Sequence, residues 1–198
     1  MKLCSCENLD QMGIARLSEI VSDVNVNINC INCRGLTPLL LVCFFNRSEH
    51  LFDCIQILLQ RTEINVNSRN KDDWNALSVV CLFNGNNIKL PDIIHLFLQK
   101  EIELNPTNSY GWDALSRAVI SLSFYHCNHP EFVSIVQHIL EYGIFALNTN
   151  TEDKNNRLCT LREKMVFLDL GFTNIETMVD LLEEYRIIVA INYPIYSL

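Results

Sequence analysis

The sequence predicts an all-α fold, a solenoid of about four to five stacked helix-turn-helix units with degenerate units at its two ends. Three observations support this prediction. The string DDWNALSVVC returns 38 residues later as YGWDALSRAV, and RGLTPLLLVC stands 38 residues before it. Helix-capping residue types recur at the same spacing. Amphipathic segments with helical periodicity lie between the repeated strings.

Three columns of residues predict the start of one short helix in each unit. Thr37, Asn75 and Asp113 form the first column, spaced by 38, and their side-chain oxygens can accept from the free N–H groups of a first helical turn. The next two columns hold first-turn residues and then apolar anchors: Pro38, Ala76 and Ala114, then Leu39, Leu77 and Leu115. The short helices are expected at about 38–45, 76–83 and 114–122.

A second, amphipathic helix is expected to follow each short one. Its apolar residues fall at i, i+3, i+4, i+7 and i+8, which is one helical face: Leu51, Cys54, Ile55, Leu58 and Leu59. The pattern returns after Pro91 and after Pro130, both suited to a helix start. A further helix, at about 10–21, forms the second half of a truncated first unit.

A column of asparagines predicts where the units end. Asn29, Asn67 and Asn105 are spaced by 38, and Asn148 follows 43 residues later, which implies a five-residue insertion. We therefore expect a single domain over residues 1–198. Its units are a partial one at roughly 10–29, three at 30–67, 68–105 and 106–148, a degenerate one at 149–185, and an apolar tail at 186–198.

These letters resemble the ankyrin repeat, whose usual start is Gly-x-Thr-Pro-Leu-His-x-Ala. The chain has GLTPLLLVC from Gly35, GWDALSRAV from Gly111, and DWNALSVVC with Asp73 in the glycine column. The period of 38 exceeds the family's roughly 33 residues. The family's histidine is absent, which implies looser loops: Leu40, Ser78 and Ser116 stand in its place.

Composition narrows the class of partner. The 198 residues are 49% apolar and 19% charged, which predicts a folded rather than a disordered chain. The formal net charge of −8 and the absence of a dense Lys/Arg run disfavour nucleic acid and anionic membranes. A basic or apolar protein surface is the better matched partner.

The cellular setting predicted from the sequence is intracellular and cytoplasmic. No signal peptide is visible at the start of the chain. The longest apolar run, 38–45, is shorter than the roughly 20 residues that a membrane helix needs. Nine cysteines, an odd number, suit a reducing compartment where thiols act as small core residues.

Two groups of residues could bind a metal, and both interpretations are disfavoured. Cys4, Cys6, Cys30 and Cys33 supply four thiolates, but the Cys-x-Cys spacing is atypical for zinc and the repeat itself explains the hairpin position of the other pair. The second group is His126, Cys127 and His129, and it is better explained as polar loop residues before a helix than as a metal site. The sequence also lacks a Gly-rich phosphate loop, G-x-S-x-G and H-E-x-x-H, so we expect neither an enzyme nor a cofactor.

The candidate binding residues lie around a column formed by Leu36, Trp74 and Trp112. The ankyrin resemblance implies that this column lies on the hairpin fingers near the concave side, where tryptophan would suit a partner contact. The alternative is that each ring packs along its own loop and its neighbour. Further candidates flank the column on the loop tips and on the short-helix face: Arg34, Lys71, Asp72, Ser109, Tyr110, Ser78, Ser116 and Arg117.

The sequence therefore predicts a non-catalytic, monomeric module that binds a protein partner through its fingers and short helices. The alternative is a structural section of a larger repeat array, or a self-associating assembly element. A third hypothesis is a zinc-stapled variant that uses the N-terminal cysteines.

Overall fold

A computed structural model describes residues 3–104, 113–125 and 132–140. These residues form a 3₁₀ helix at Leu3–Ser5 and the helices α1 (Gln11–Ser22), α2 (Pro38–Phe45), α3 (Leu51–Leu58), α4 (Ala76–Phe83), α5 (Leu90–Gln99), α6 (Ala114–Tyr125) and α7 (Phe132–Leu140). The all-α helix-turn-helix repeat fold is confirmed. The predicted bounds of α2 and α4 match the structure, whereas α6 continues past its predicted end at residue 122.

Side-chain caps begin the short helices, as the sequence predicts. In each cap the side-chain oxygen accepts from the backbone N–H three residues on, at 3.3 Å for Thr37, 3.0 Å for Asn75 and 2.6 Å for Asp113. Asp10 caps α1 in the same way at 2.8 Å. Each such cap stabilises its helix by about 1 kcal/mol, so these residues specify where the helices start.

The helices α1 to α5 pack in the order expected of a helical repeat. The pairs α2–α3 and α4–α5 are hairpins, and α2 packs on α4 while α3 packs against both α1 and α5. Short helices therefore lie beside short ones and long helices beside long ones. Such packing lets each unit cover the apolar side of its neighbour, which one unit alone cannot bury.

Burial differs between the two kinds of helix. Residues 38–43 of α2 and 76–81 of α4 are all buried, so these helices are enclosed on nearly every side. In α3 only one face is buried, formed by Leu51, Cys54, Ile55 and Leu58. The enclosed helices explain the continuous apolar strings in the sequence. In the described part of the chain, no helix has both the length and the apolar character to cross a membrane.

Two asparagines, Asn29 and Asn67, each connect the end of one unit to the end of the next. Asn29 and Asn67 each donate from Nδ2 to a backbone carbonyl 34 residues on, at 2.7 Å and 3.4 Å. Each also accepts at Oδ1 from a backbone N–H 36 residues on, at 2.8 Å in both cases. Asn29 and Asn67 therefore link adjacent units through their backbones, in repeats that have no histidine at the family's position.

The segment before α1 packs onto the first complete unit. The 3₁₀ helix contacts α1 and α2. Cys4 and Leu9 are each only 4% exposed. The carbonyl of Glu7 accepts from the backbone N–H of Arg47 at 2.6 Å. The sequence did not predict this segment, which covers apolar surface where the truncated first unit has no short helix.

The contacts divide the chain into two compact units, residues 1–118 and 119–198. The first contains α1 to α5 and the start of α6. In the second, the described residues are the rest of α6 and α7, which bury Val119, Leu122, Val136 and Ile139. Most repeat boundaries predicted beyond residue 104, and the tail, lie outside the described residues, so the single-domain assignment stays a prediction.

Candidate functional site

Aromatic rings gather where α2 and α4 end. Phe44 and Phe45 are the last two residues of α2, and Phe83 is the last residue of α4. Because α2 packs on α4, the two helix ends lie side by side. The ring centroids of Phe44 and Phe83 are 4.7 Å apart and those of Phe44 and Phe45 are 5.8 Å apart.

The indole of Trp74 completes a triangle of rings. It stacks on Phe44 with centroids 6.4 Å apart and planes inclined by 17°, and it lies 5.9 Å from Phe83. Trp74 precedes α4, and its ring nevertheless contacts Phe83, the last residue of that helix. Aromatic pairs at these separations stabilise one another beyond the area they bury, which holds the three rings in place.

Two arginines lie over this triangle at different corners. The guanidinium carbon of Arg47 is 5.7 Å from the ring centroid of Phe83, and that of Arg117 is 5.6 Å from the centroid of Trp74. Both distances allow a cation–π attraction. We call these residues the aromatic–arginine cluster: Phe44, Arg47, Trp74, Phe83 and Arg117.

The cluster is partly open to solvent. Phe83 is 39% exposed and its neighbour Leu82 is 38% exposed, whereas Phe44 and Trp74 are half-buried. Arg47 is exposed and Arg117 is half-buried. Desolvation by burial lowers the pKa of Arg117, and the nearby Asp113 partly offsets this effect. The arrangement is an apolar surface with fixed rings and two guanidinium groups.

The loops before α2 and α4 form hairpin tips with the same geometry. Asn32 and Asn70 each accept at Oδ1 from the N–H groups two and four residues on, at 2.9 to 3.0 Å. The third residue after each asparagine has positive φ, 76° at Gly35 and 61° at Asp73. Glycine adopts this left-handed conformation freely, and aspartate tolerates it better than most residues.

The tips carry three of the candidate residues predicted from the sequence. Arg34, Lys71 and Asp72 are all exposed there. Trp74 lies just behind one tip, and its contacts with the rings of Phe44 and Phe83 agree with the alternative that the ring packs on its neighbours. The same ring remains half-exposed, so packing and a partner contact are compatible.

Burial corrects the expected exposure of three other candidates. Leu36 is 4% exposed, Ser78 is 4% exposed and Ser116 is 2% exposed. Leu36 therefore packs inward although it shares a column with Trp74. The two serines lie in the enclosed part of α4 and α6, not on an exposed helix face. None of the three presents its side chain to solvent.

Further candidates fall outside the described residues. These are Trp112, Ser109 and Tyr110, together with the loop group of His126, Cys127 and His129. The proposed Leu36–Trp74–Trp112 row is therefore represented by one half-exposed member, Trp74.

Sequence reasoning missed the phenylalanines and Arg47 as site residues. A signal was present, because Phe45 and Phe83 share a column spaced by 38 and both end a short helix. The sequence cannot show whether an apolar residue at a helix end is buried or exposed. The packing of α2 on α4 shows that these rings lie at the surface.

The cysteines in the described ranges are all free thiols. Cys4 is buried and Cys30 is half-buried, while Cys6 and Cys33 are exposed. Burial raises the pKa of Cys43, Cys54 and Cys81, to about 11 for Cys54, which makes these thiols unreactive core residues. Across the described residues, no group of three His, Cys, Asp or Glu side chains is arranged to hold a metal ion.

Comparison with known proteins identifies the repeat. Residues 34–71, which include α2 and α3, match the family model of the ankyrin repeat. The resemblance inferred from the sequence is thereby confirmed. Ankyrin repeats generally mediate protein–protein interactions and are generally non-catalytic. A search of curated proteins finds no match.

Proposed function

We propose that this chain, whose residues 34–71 match an ankyrin repeat, is a non-catalytic module that binds a partner protein at the aromatic–arginine cluster. The observation that carries the proposal is the half-exposed triangle of Phe44, Trp74 and Phe83 with an arginine at two of its corners. Tryptophan and arginine are the residues most enriched at the energetic centres of protein interfaces.

The fixed geometry of the rings favours binding. Each ring of the triangle contacts the other two, so little conformational freedom remains to be lost when a partner covers it. The exposed parts of Leu82 and Phe83 supply apolar area, at 38% and 39% exposure. A partner that removed this area from water would gain affinity without reorganising the helices.

The hairpin tips would form the polar rim of the same interface. Arg34, Lys71 and Asp72 are exposed on the loops that lead into α2 and α4. Polar groups at an interface rim add specificity and exclude water more than they add affinity. From the sequence alone the proposal extends to Ser109, Tyr110 and Trp112.

The proposal takes the chain as a monomer. The alternative, a self-associating section of a larger array, predicts a molecular weight that rises with protein concentration. Sedimentation equilibrium separates the two, and the same measurement on Phe83→Ala would show whether the cluster itself joins copies of the chain.

Quantitative affinity capture tests the proposal. Tagged wild-type protein, Trp74→Ala and Phe83→Ala would be used to capture proteins from an extract of the source cells. Met12→Ala is the matched control, because Met12 is 79% exposed but lies on α1, which packs on α3. Far-ultraviolet circular dichroism checks that each variant keeps its helices.

We expect a protein that the wild type and Met12→Ala retain and that both cluster variants lose. Binding by that protein would then be measured with purified components. A captured partner whose affinity is the same for folded Trp74→Ala, Phe83→Ala and wild type would exclude the cluster as the binding surface.

A further inference from the structure

The guanidinium of Arg47 is positioned to receive a group from outside the chain. Its Nη1 donates to the carbonyl of Asn46 at 3.3 Å, and its guanidinium carbon lies over the ring of Phe83 at 5.7 Å from the centroid. Among the described residues no carboxylate lies within ion-pair distance of it. Arginine has five side-chain N–H donors, and one bond to Asn46 leaves the others for a further acceptor.

The side chain of Arg47 is exposed, so a counter-charge from a partner can reach it. Desolvation lowers the pKa of Arg47, and the charge of Glu7 only partly offsets that effect. The guanidinium stays protonated, since its ordinary pKa lies far above neutrality. A hydrogen bond between a guanidinium and a carboxylate is charge-assisted and therefore stronger than a bond between neutral groups.

Arg117 adds a second positive charge to the cluster, next to a different ring. Its guanidinium lies over Trp74, and the charge of Asp113, the cap of the same helix, acts on it. The chain as a whole carries a net charge of −8. Two guanidinium groups therefore border an apolar surface on an acidic molecule, and an acidic partner segment is drawn to these two groups although the chain as a whole repels it.

We infer that the partner segment bound by the aromatic–arginine cluster carries an Asp or Glu side chain close to a large apolar or aromatic side chain. The inference rests on the proposed function. The apolar side chain covers the exposed part of Phe83 and Leu82. The carboxylate accepts from the remaining N–H groups of the Arg47 guanidinium, in the two-bond geometry that arginine offers a carboxylate.

Selection from a random peptide library displayed on phage tests the inference. Displayed peptides have no free C-terminus, so an acidic preference must come from side chains. Selected sequences are then synthesised with blocked ends, and their affinities are measured for wild type, Arg47→Gln, Arg47→Lys and Phe83→Ala. Arg16→Gln is the matched control, because Arg16 is exposed on α1, outside the cluster.

We expect selected peptides to pair an acidic with an apolar residue. Arg47→Gln should weaken their binding about tenfold, as expected for the loss of a charge-assisted hydrogen bond. Arg47→Lys should weaken binding less, Arg16→Gln should not change it, and higher ionic strength should reduce the difference between Arg47→Gln and wild type.

Three outcomes would overturn the inference, and they separate it from the proposed function. Peptides without acidic residues, weakened by Phe83→Ala but not by Arg47→Gln, would refute the carboxylate and leave the surface standing. Peptides that bind equally to all the variants would refute both. A library that yields no binding sequence would also count against both.

Discussion

Replacing Asn67 with alanine should weaken the connection between two units without disturbing either helix hairpin. The substitution removes the acceptor of the Glu103 N–H, at 2.8 Å, and the donor to the Glu101 carbonyl, at 3.4 Å. Both bonds join the end of one unit to the end of the next. The substitution therefore weakens the interface between the two units and not the helices within either one.

The geometry of these two hydrogen bonds sets how much stability Asn67→Ala should lose. A side-chain hydrogen bond contributes about 0.5–1.5 kcal/mol net, and exposed groups fall toward the lower end because water replaces the lost partner. The longer bond to Glu101 adds little. We expect the free energy of unfolding to fall by about 1 kcal/mol, roughly a fivefold change in the folded-to-unfolded ratio.

Amide hydrogen exchange reports this loss residue by residue. In Asn67→Ala the Glu103 amide should exchange about fivefold faster, while the Asn65 amide, held by Asn29 at 2.8 Å, should keep its rate. Asn29→Ala should give the converse result. Unchanged exchange at Glu103 in Asn67→Ala, or the same acceleration in both variants, would refute the role of the asparagines as inter-unit bridges.

The other predictions concern backbone conformation, pH dependence and thiol reactivity. Gly35→Ala should lower the free energy of unfolding by about 1–2 kcal/mol, because alanine is strained at φ 76°. Asp73→Ala at φ 61° should lower it less, because aspartate already bears part of this strain. Urea denaturation measures both changes. A side-chain hydrogen bond from Arg61 lowers the pKa of Glu63, so the associated stability is present above the unfolded-state pKa and is lost as the pH falls through the folded-state pKa. Glu63→Gln should remove this acid-side loss from the stability-versus-pH curve, measured by thermal unfolding at a series of pH values. Burial raises the pKa of Cys43, so iodoacetamide should leave this thiol unmodified until urea unfolds the chain, as peptide mass spectrometry can show.

A specific result would contradict each of these predictions. Equal destabilisation by the two alanine substitutions would mean that φ does not distinguish the hairpin tips. An unaltered acid limb in Glu63→Gln would mean that its hydrogen bond from Arg61 does not form in solution. Rapid alkylation of Cys43 in the native protein would mean that α2 is not enclosed.

The starts of the helices were predictable because capping is a local interaction. Thr37, Asn75 and Asp113 each bond an N–H only three residues away, so their residue types identify a helix start without any tertiary information. The same holds for the glycine column, since the positive φ at Gly35 and Asp73 arises within a single turn.

The binding surface was less predictable because it depends on which side chains fit between neighbouring units. Leu36 and Trp74 share a column, yet the leucine is buried and the indole spreads over the ends of two helices. Ser78 was expected on an exposed face of its short helix, but α4 is enclosed by its neighbours and buries the residue.

The amino-acid sequence alone was sufficient for the period of 38, the helix starts and the class of repeat, because each depends on residues close together in the chain. The aromatic–arginine cluster, the bridges from Asn29 and Asn67 and the inward side of Leu36 required the folded chain. They depend on contacts between residues some 30 to 40 positions apart, whose meeting is decided by how one helical hairpin packs on the next.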